Sequence, residues 1–260
     1  MNLLRVFGLI GLFFISLVQA DNEFPGRATY PKVQVMDTEQ LNSQFDEVII
    51  VDVRSAFEFD TLHINKALNI PLNSKKFVSD MEPLLGENKP IVFYCNGHSC
   101  YKSYKAANKI RKANSSNVYA YDAGIFDWAK AHPEKATLVG KTPVDRKRLI
   151  SKEDFQKRLL SPANFTAKIE DKTLILDIRE PAQRGLFELF PYRQENIHMD
   201  EKTKLNQFLS TVKKQDKALL VYDEAGKQVT WLQYYLEDKE ISNYYFMDGG
   251  AKGFFKVLQK

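Results

Sequence analysis

Cysteine is nearly absent from this chain of 260 residues: there are two, Cys95 and Cys100, with four residues between them. A bridge between them would close only a short loop, and short loops gain least from a cross-link, so the fold is not expected to lean on a disulfide. Histidine is scarce too, with four, and no Cys or His cluster completes a zinc site, so no metal is expected. A charge excess is missing. The formal net charge is +4, which falls to +3 without residues 1–20 because Arg5 is the one charged residue there; this is too small to argue for nucleic acid or an acidic surface as partner. Beyond residue 20 nothing reads as transmembrane.

Residues 1–20 differ in kind from the rest. Arg5 precedes an uncharged apolar stretch over residues 6–18, and Val18-Gln19-Ala20 offers a small-residue cleavage site before Asp21. This is the pattern of a secretory signal, and its apolar core is too short to span a bilayer comfortably. The expectation is a soluble mature protein, periplasmic or secreted, with no membrane association after cleavage. An uncleaved anchor or a buried first helix is the competing reading. The composition, 44% hydrophobic and 27% charged, is ordinary for globular protein, and the length predicts two domains of comparable size.

The chain is organised around residues 91–107. Ile91-Val92-Phe93-Tyr94 is a short run of β-formers that ends at Cys95. Asn96, Gly97, His98, Ser99, Cys100, Tyr101 and Lys102 make a tight polar loop, and from Ser103 to about Ala113 an Ala-rich, Lys-studded stretch reads as a helix that Ser103 is placed to cap. A strand, a loop and a helix in this order form a cradle whose backbone N–H groups converge and whose helix dipole favours an anion. A sulfur at Cys95 in that field is expected to be open to solvent and to favour its thiolate.

Around this centre the pattern alternates. Residues 21–32 read as an extended leader, Asp37 starts a helix, residues 47–53 form a buried parallel strand, residues 78–85 a helix and residues 118–121 a further strand. Strands alternating with helices at these lengths indicate an α/β fold with a mainly parallel sheet and helices on both faces. The boundaries are a first domain over 31–140, a polar, basic linker over 141–149 and a second domain over 150–260. The second half repeats the first. Asp177 matches Asp52, Asp223 matches Cys95 and Gly250 matches Gly124, at offsets of 125, 128 and 126 residues. Three matches at nearly constant spacing point to an internal duplication.

Asp52-Val53-Arg54 with Glu58, then His63-Ile64 and Ala67-Leu68-Asn69-Ile70-Pro71, together with residues 118–124 and Trp128, resemble the signatures of the rhodanese (sulfurtransferase) superfamily in two tandem copies. The resemblance implies two rhodanese-like domains and a cysteine at the end of the central strand that holds a sulfane sulfur as a persulfide. Cys95 falls on that position. A small sulfur-containing anion such as thiosulfate or 3-mercaptopyruvate would be the donor, a thiol or cyanide-like nucleophile the acceptor, and no cofactor is implied. The loop departs from the family's in length, with Lys102-Ser103 where an arginine usually precedes the Ser or Thr, and in its second cysteine. The second domain, with Asp223 at the cysteine position, is expected to be silent, and its loop, with Glu224 beside Asp223, is acidic.

Each of these residues also has a structural reading. Cys95 reads as the nucleophile, a buried core residue or half of an inert disulfide; Cys100 as a thiol that attacks a persulfide on Cys95, as incidental, or as only a disulfide partner. His98 reads as a thiolate-tuning cation, a soft-metal ligand or a solvated side chain. Asp52 and Arg54 are candidates for supporting the site, or form a structural ion pair with a residue such as Glu58. Trp128 and its aromatic neighbours are core or domain interface, and the basic run over 141–148 is a solvated linker. Two functions follow: an exported sulfurtransferase working through a Cys95 persulfide, or a non-catalytic binding or redox-sensing module that cycles Cys95 and Cys100 between dithiol and disulfide.

Overall fold

The computed structural model describes residues 23–113, 117–185, 187–215 and 217–259; the signal expected over 1–20 lies outside the described residues. Contacts divide the chain into two compact units. The first runs to Leu138 and includes Thr142–Val144, and the second comprises Val139–Lys141 and Asp145–Lys260.

The first unit contains β1 (Gln34–Val35), β2 (Ile49–Asp52), β3 (Leu62–Ile64), β4 (Leu68–Asn69), β5 (Ile91–Tyr94), β6 (Val118–Tyr121) and β7 (Ala136–Leu138). Five of these make one sheet in the order β1-β6-β5-β2-β4, parallel throughout, while β3 and β7 pair antiparallel to each other. β5 lies at the centre with all four residues buried, which is why its sequence is apolar on both faces. Helices flank the sheet. The helix Thr38–Ser43 starts at an Asp37 capping box, and the helix Ala56–Thr61 at one formed by Ser55 and Glu58. Phe77, Phe93, Tyr104 and Ile110 meet in one core cluster, and Trp128 is buried with its ring stacked on Phe45.

The second unit contains β8 (Leu159–Leu160), β9 (Leu174–Asp177), β10 (Gln194–Asn196), β11 (Leu219–Tyr222) and β12 (Tyr244–Met247), ordered β10-β9-β11-β12-β8 and again all parallel. Read from β8, this is the order of the first sheet with β8 for β1, β12 for β6, β11 for β5, β9 for β2 and β10 for β4. The duplication in sequence is therefore a duplication in topology. The α/β class, with two parallel five-stranded sheets flanked by helices, holds for both units.

Two local expectations are corrected. Residues 25–29 are helical, not extended: Pro25 takes the first helical position, where its missing N–H costs nothing, and Gly26 lies so close to the Tyr104 ring that a Cβ there would approach to 2.2 Å. The basic stretch 141–149 is not merely solvated either, because Arg148 pairs with Asp238 at 2.9 Å and Asp145 accepts the Lys147 N–H.

Each unit has its own buried ion pair at the C-terminal edge of its sheet. Arg54 and Asp52 are both fully buried and meet at 2.6 Å, and Arg179 and Asp177 meet at 2.8 Å. Burial works against the Arg54 charge, but Asp52 outweighs it and the group stays ionised. Glu58, expected as a partner of Arg54, is held below the usual carboxylate range by the Arg54 charge and also bonds Ser55 and Asn96. Replacing Arg54 by Ala leaves Asp52 without its buried counter-ion. We expect Arg54→Ala to lower stability by about 3–5 kcal/mol, read from the denaturant midpoint; an unchanged midpoint would show the pair to be dispensable.

Candidate functional site

β5 delivers Cys95 to the C-terminal edge of the sheet, between β2 and β6. The chain then makes a loop through Asn96, Gly97, His98, Ser99, Cys100 and Tyr101 and enters the helix Lys102–Lys112. Its turn is shaped by backbone that favours glycine: Gly97 has φ +111° and His98 φ +30°. A Cβ at Gly97 would lie 2.2 Å from the Ala123 carbonyl oxygen, and one at Gly124 would lie 2.3 Å from the Gly97 Cα. Two bare backbones thus meet, and the Ile125 N–H donates to the Cys95 carbonyl at 3.1 Å to fix the contact.

Both sulfurs sit inside the cradle as free thiols, close together but not at bonding distance. Cys95 is fully buried. Its Sγ lies 3.3 Å from the Cys100 carbonyl oxygen and 3.8 Å from Ser103 Oγ. Burial pushes the Cys95 thiol well above its ordinary value, the hydrogen bond to Cys100 and the Cys100 charge add to this, and the N–H groups of Ser103 and Gly97 offset only part. Cys100 is half-buried and behaves oppositely. Its thiol is held down to about 6, first by the hydrogen bond from Cys95, then against burial by the N–H groups of Lys102 and Asn96 and by the Lys102 charge. The expectation of a solvent-open Cys95 thiolate is not met. Burial works against charge on Cys95, whose S–H is directed at the Cys100 carbonyl oxygen, while the half-buried Cys100 thiol is the one held down.

Asn96 ties the loop to the sheet edge. Its Oδ1 accepts from Arg54 Nη1 at 3.3 Å and its Nδ2 donates to Glu58 at 3.2 Å. Burial raises the Glu58 carboxyl, yet Arg54, Lys102, the Ser55 N–H and Asn96 together hold it below the usual range, so it stays an acceptor. Asp52 and Arg54 therefore reach the loop through Asn96. Ser103 does not cap the helix: the helix begins at Lys102, Tyr101 stands at the cap without a side-chain bond, and buried Ser103 faces Cys95. Lys102 is exposed in the first turn, and Ser99 is exposed in the loop. His98 bonds Asp127 at 2.7 Å and lies against Phe24 and Glu23. Sequence reasoning found Glu58 but not its bond to Asn96, although the Ser55-x-x-Glu58 capping box was readable; the Asp127 and Phe24 contacts with His98 left no sequence signal. Among the described residues no group of three or more His, Cys, Asp or Glu side chains is arranged to hold a metal, and no helix is long and apolar enough to cross a membrane.

The second unit builds the same cradle and fills it. Asp223 follows β11 as Cys95 follows β5, and the Ala251 N–H donates to its carbonyl at 2.8 Å as Ile125 does to Cys95. The Asp223 carboxylate accepts the N–H groups of Ala225 at 2.9 Å, Val229 at 3.2 Å, and those of Gly226 and Gln228. The loop is not repellent to anions, as its acidic sequence suggested. Its converging amides hold an anion that belongs to the chain itself.

Residues 37–131 match the family model for the rhodanese-like domain. The chain is 29% identical over 105 residues to a thiosulfate:glutathione sulfurtransferase of Saccharomyces cerevisiae, covering 35% of this chain and 71% of that protein. It is 29% identical over 108 residues to a tRNA uridine(34) hydroxylase of Erwinia tasmaniensis, covering 38% of this chain and 29% of that protein. The crystal structure of a thiosulfate sulfurtransferase from Pseudomonas aeruginosa aligns over 88% of this chain and 43% of its own, at 17% identity and a TM-score of 0.41. This chain spans 27–72% of the lengths of these and other curated relatives it matches.

Removing the second unit's internal anion leaves four backbone donors unpaired. We expect Asp223→Ala to cost about 2–4 kcal/mol and to speed hydrogen exchange at residues 225–229. Exchange as slow as in the unaltered chain would show that the carboxylate is not what orders the loop.

Proposed function

With residues 37–131 belonging to the rhodanese-like domain family, we propose that the first unit is a sulfurtransferase site. It moves a sulfane sulfur from a small anionic donor such as thiosulfate or 3-mercaptopyruvate, through a Cys95 persulfide, to a thiol or cyanide-like acceptor. What supports this reading is the placement of Cys95 at the end of the central strand β5, opening a loop in which Gly97 packs against Gly124 and Asn96 is held by Arg54 and Glu58. A persulfide and an oxyanion leaving group are both negative, and donors fixed in advance stabilise such charge without reorganising. Cys95 occupies the strand-end position, Asn96 with Asp52 and Arg54 fixes the loop, and Lys102 adds positive charge at its mouth. The second unit, whose cradle is filled by Asp223, is catalytically silent, because a carboxylate cannot hold transferable sulfur. Export to the periplasm or the medium belongs to this proposal and rests on residues 1–20.

A second reading is favoured by the nearness of the two free thiols in one loop: a redox module in which they form and break a disulfide without carrying sulfur. The readings separate in one assay. Reduced protein is given thiosulfate or 3-mercaptopyruvate with cyanide, and thiocyanate is measured. We expect turnover that is lost when Cys95 and Cys100 are both replaced by Ser. Its rate should rise with pH through about 6 and level off above, because the attacking form is the thiolate and the coupled thiol pair loses its first proton near that value. A chain inert to both donors, whose thiols still form a reversible disulfide, would favour the redox module.

A further inference from the structure

We infer that the second unit holds a site for a small zwitterion of the free amino-acid class, in a cavity beside the helix Val229–Asp238. The inference stands apart from the sulfur chemistry proposed for the first unit, and every residue that builds the site belongs to the second unit.

The cavity, of about 310 Å³, is lined by the stretch that leads into the second unit, by Tyr245 of β12 and by Gln233 and Glu237 of that helix. Gln233 is fully buried, yet its Oε1 accepts no hydrogen bond. The identity of that atom follows from its neighbour: Gln233 Nε2 donates to Glu237 Oε1 at 3.3 Å, and a carboxylate accepts only from the nitrogen end of an amide. A buried carbonyl oxygen without a donor is costly, and proteins retain few of them. The fold does not require this one, because the matching helix of the first unit, Lys102–Lys112, buries no amide side chain. An acceptor left open in the wall of a cavity calls for a ligand that brings its own N–H.

The charges around the cavity say what else that ligand carries. Lys147, Arg148, Lys157 and Arg158 set four cations against the carboxylates of Asp154 and Glu237. Arg148 pairs with Asp238 at 2.9 Å, Lys157 pairs with Asp154 at 2.7 Å, and Arg158 donates to the Ser242 carbonyl at 2.8 Å with its guanidinium over the Tyr244 ring. Each guanidinium has five N–H donors, more than these contacts use. Lys147 is exposed and has no ion-pair partner among the described residues. This excess of cations suits a carboxylate. Glu237 receives Gln233 Nε2 and the Tyr244 hydroxyl on one and the same oxygen, Oε1, so its other oxygen and Gln233 Oε1, one helical turn apart, suit an ammonium. A plain anion would leave Gln233 Oε1 unpaired and meet Glu237, and a plain cation would meet four like charges. A zwitterion answers both, and the volume, at the small end for ligand cavities, matches a molecule of that size.

The test is ligand-observed NMR on the full chain with an equimolar mixture of the twenty standard L-amino acids, followed by titration of the one that binds, of its N-acetyl derivative and of its amide. We expect binding, and both derivatives to bind roughly tenfold or more weakly, since each loses a charge-assisted hydrogen bond. Gln233→Met keeps the bulk and removes the acceptor, and should weaken the amino acid by a similar factor while leaving the N-acetyl derivative where it was. Lys147→Ala, at an exposed position, should weaken the amino acid and leave the amide where it was. No binding by any amino acid at about 1 mM would overturn the site, as would equal affinity for the N-acetyl derivative or full affinity in either variant.

Discussion

Backbone N–H groups that turn inward between a central parallel strand and the helix after it must find an acceptor, and both units of this protein are built around that requirement. Buried amides are hydrogen-bonded almost without exception. In the second unit the acceptor is the carboxylate of Asp223, and in the first it is the sulfur of two cysteines. The same geometry is a closed structural device in one half and, in the function proposed above, a chemical site in the other. What separates them is whether the acceptor carries a transferable group.

The cradle's shape is enforced from below and from the side. The Asp52–Arg54 pair is buried at the sheet edge, and Asn96 connects it and Glu58 to the loop. From the side, Gly97 and Gly124 let two backbones touch where any side chain would collide. The segment before β1 adds a third support: Arg27 bonds Asp122 at 2.8 Å, Tyr104 donates to the same carboxylate, and Phe24 lies on His98. A loop held on three sides does not need to reorganise when charge develops within it.

Much of this is legible in the residues. Apolar runs at Ile49, Ile91, Leu174 and Leu219 announce buried parallel strands, and the constant offset between the halves anticipates two sheets of one strand order. The loop residues are legible as a group because a strand, a short glycine-containing loop and a helix in succession leave that loop at the edge of a sheet. What the sequence hides is direction. Ser103 has the chemistry of a cap, but the helix starts one residue earlier and turns its hydroxyl toward Cys95. Pro25 and Gly26 look like breakers until the Tyr104 ring supplies the surface that a glycine alone can approach. The burial of Cys95 is hidden for a similar reason: the packing that closes over Cys95 works against charge there, whereas field arguments favour a thiolate in the cradle.

The chemistry of the cradle depends on that charge being present in the resting protein, and ultraviolet absorbance of the thiolate as a function of pH measures it most directly. In the reduced chain one thiolate is expected to appear with a midpoint near 6 and to be lost in Cys100→Ser, with the second ionising only well above the ordinary cysteine value of 9.0. Two thiols titrating together near that ordinary value would contradict it, since the amides around them would then be stabilising no anion.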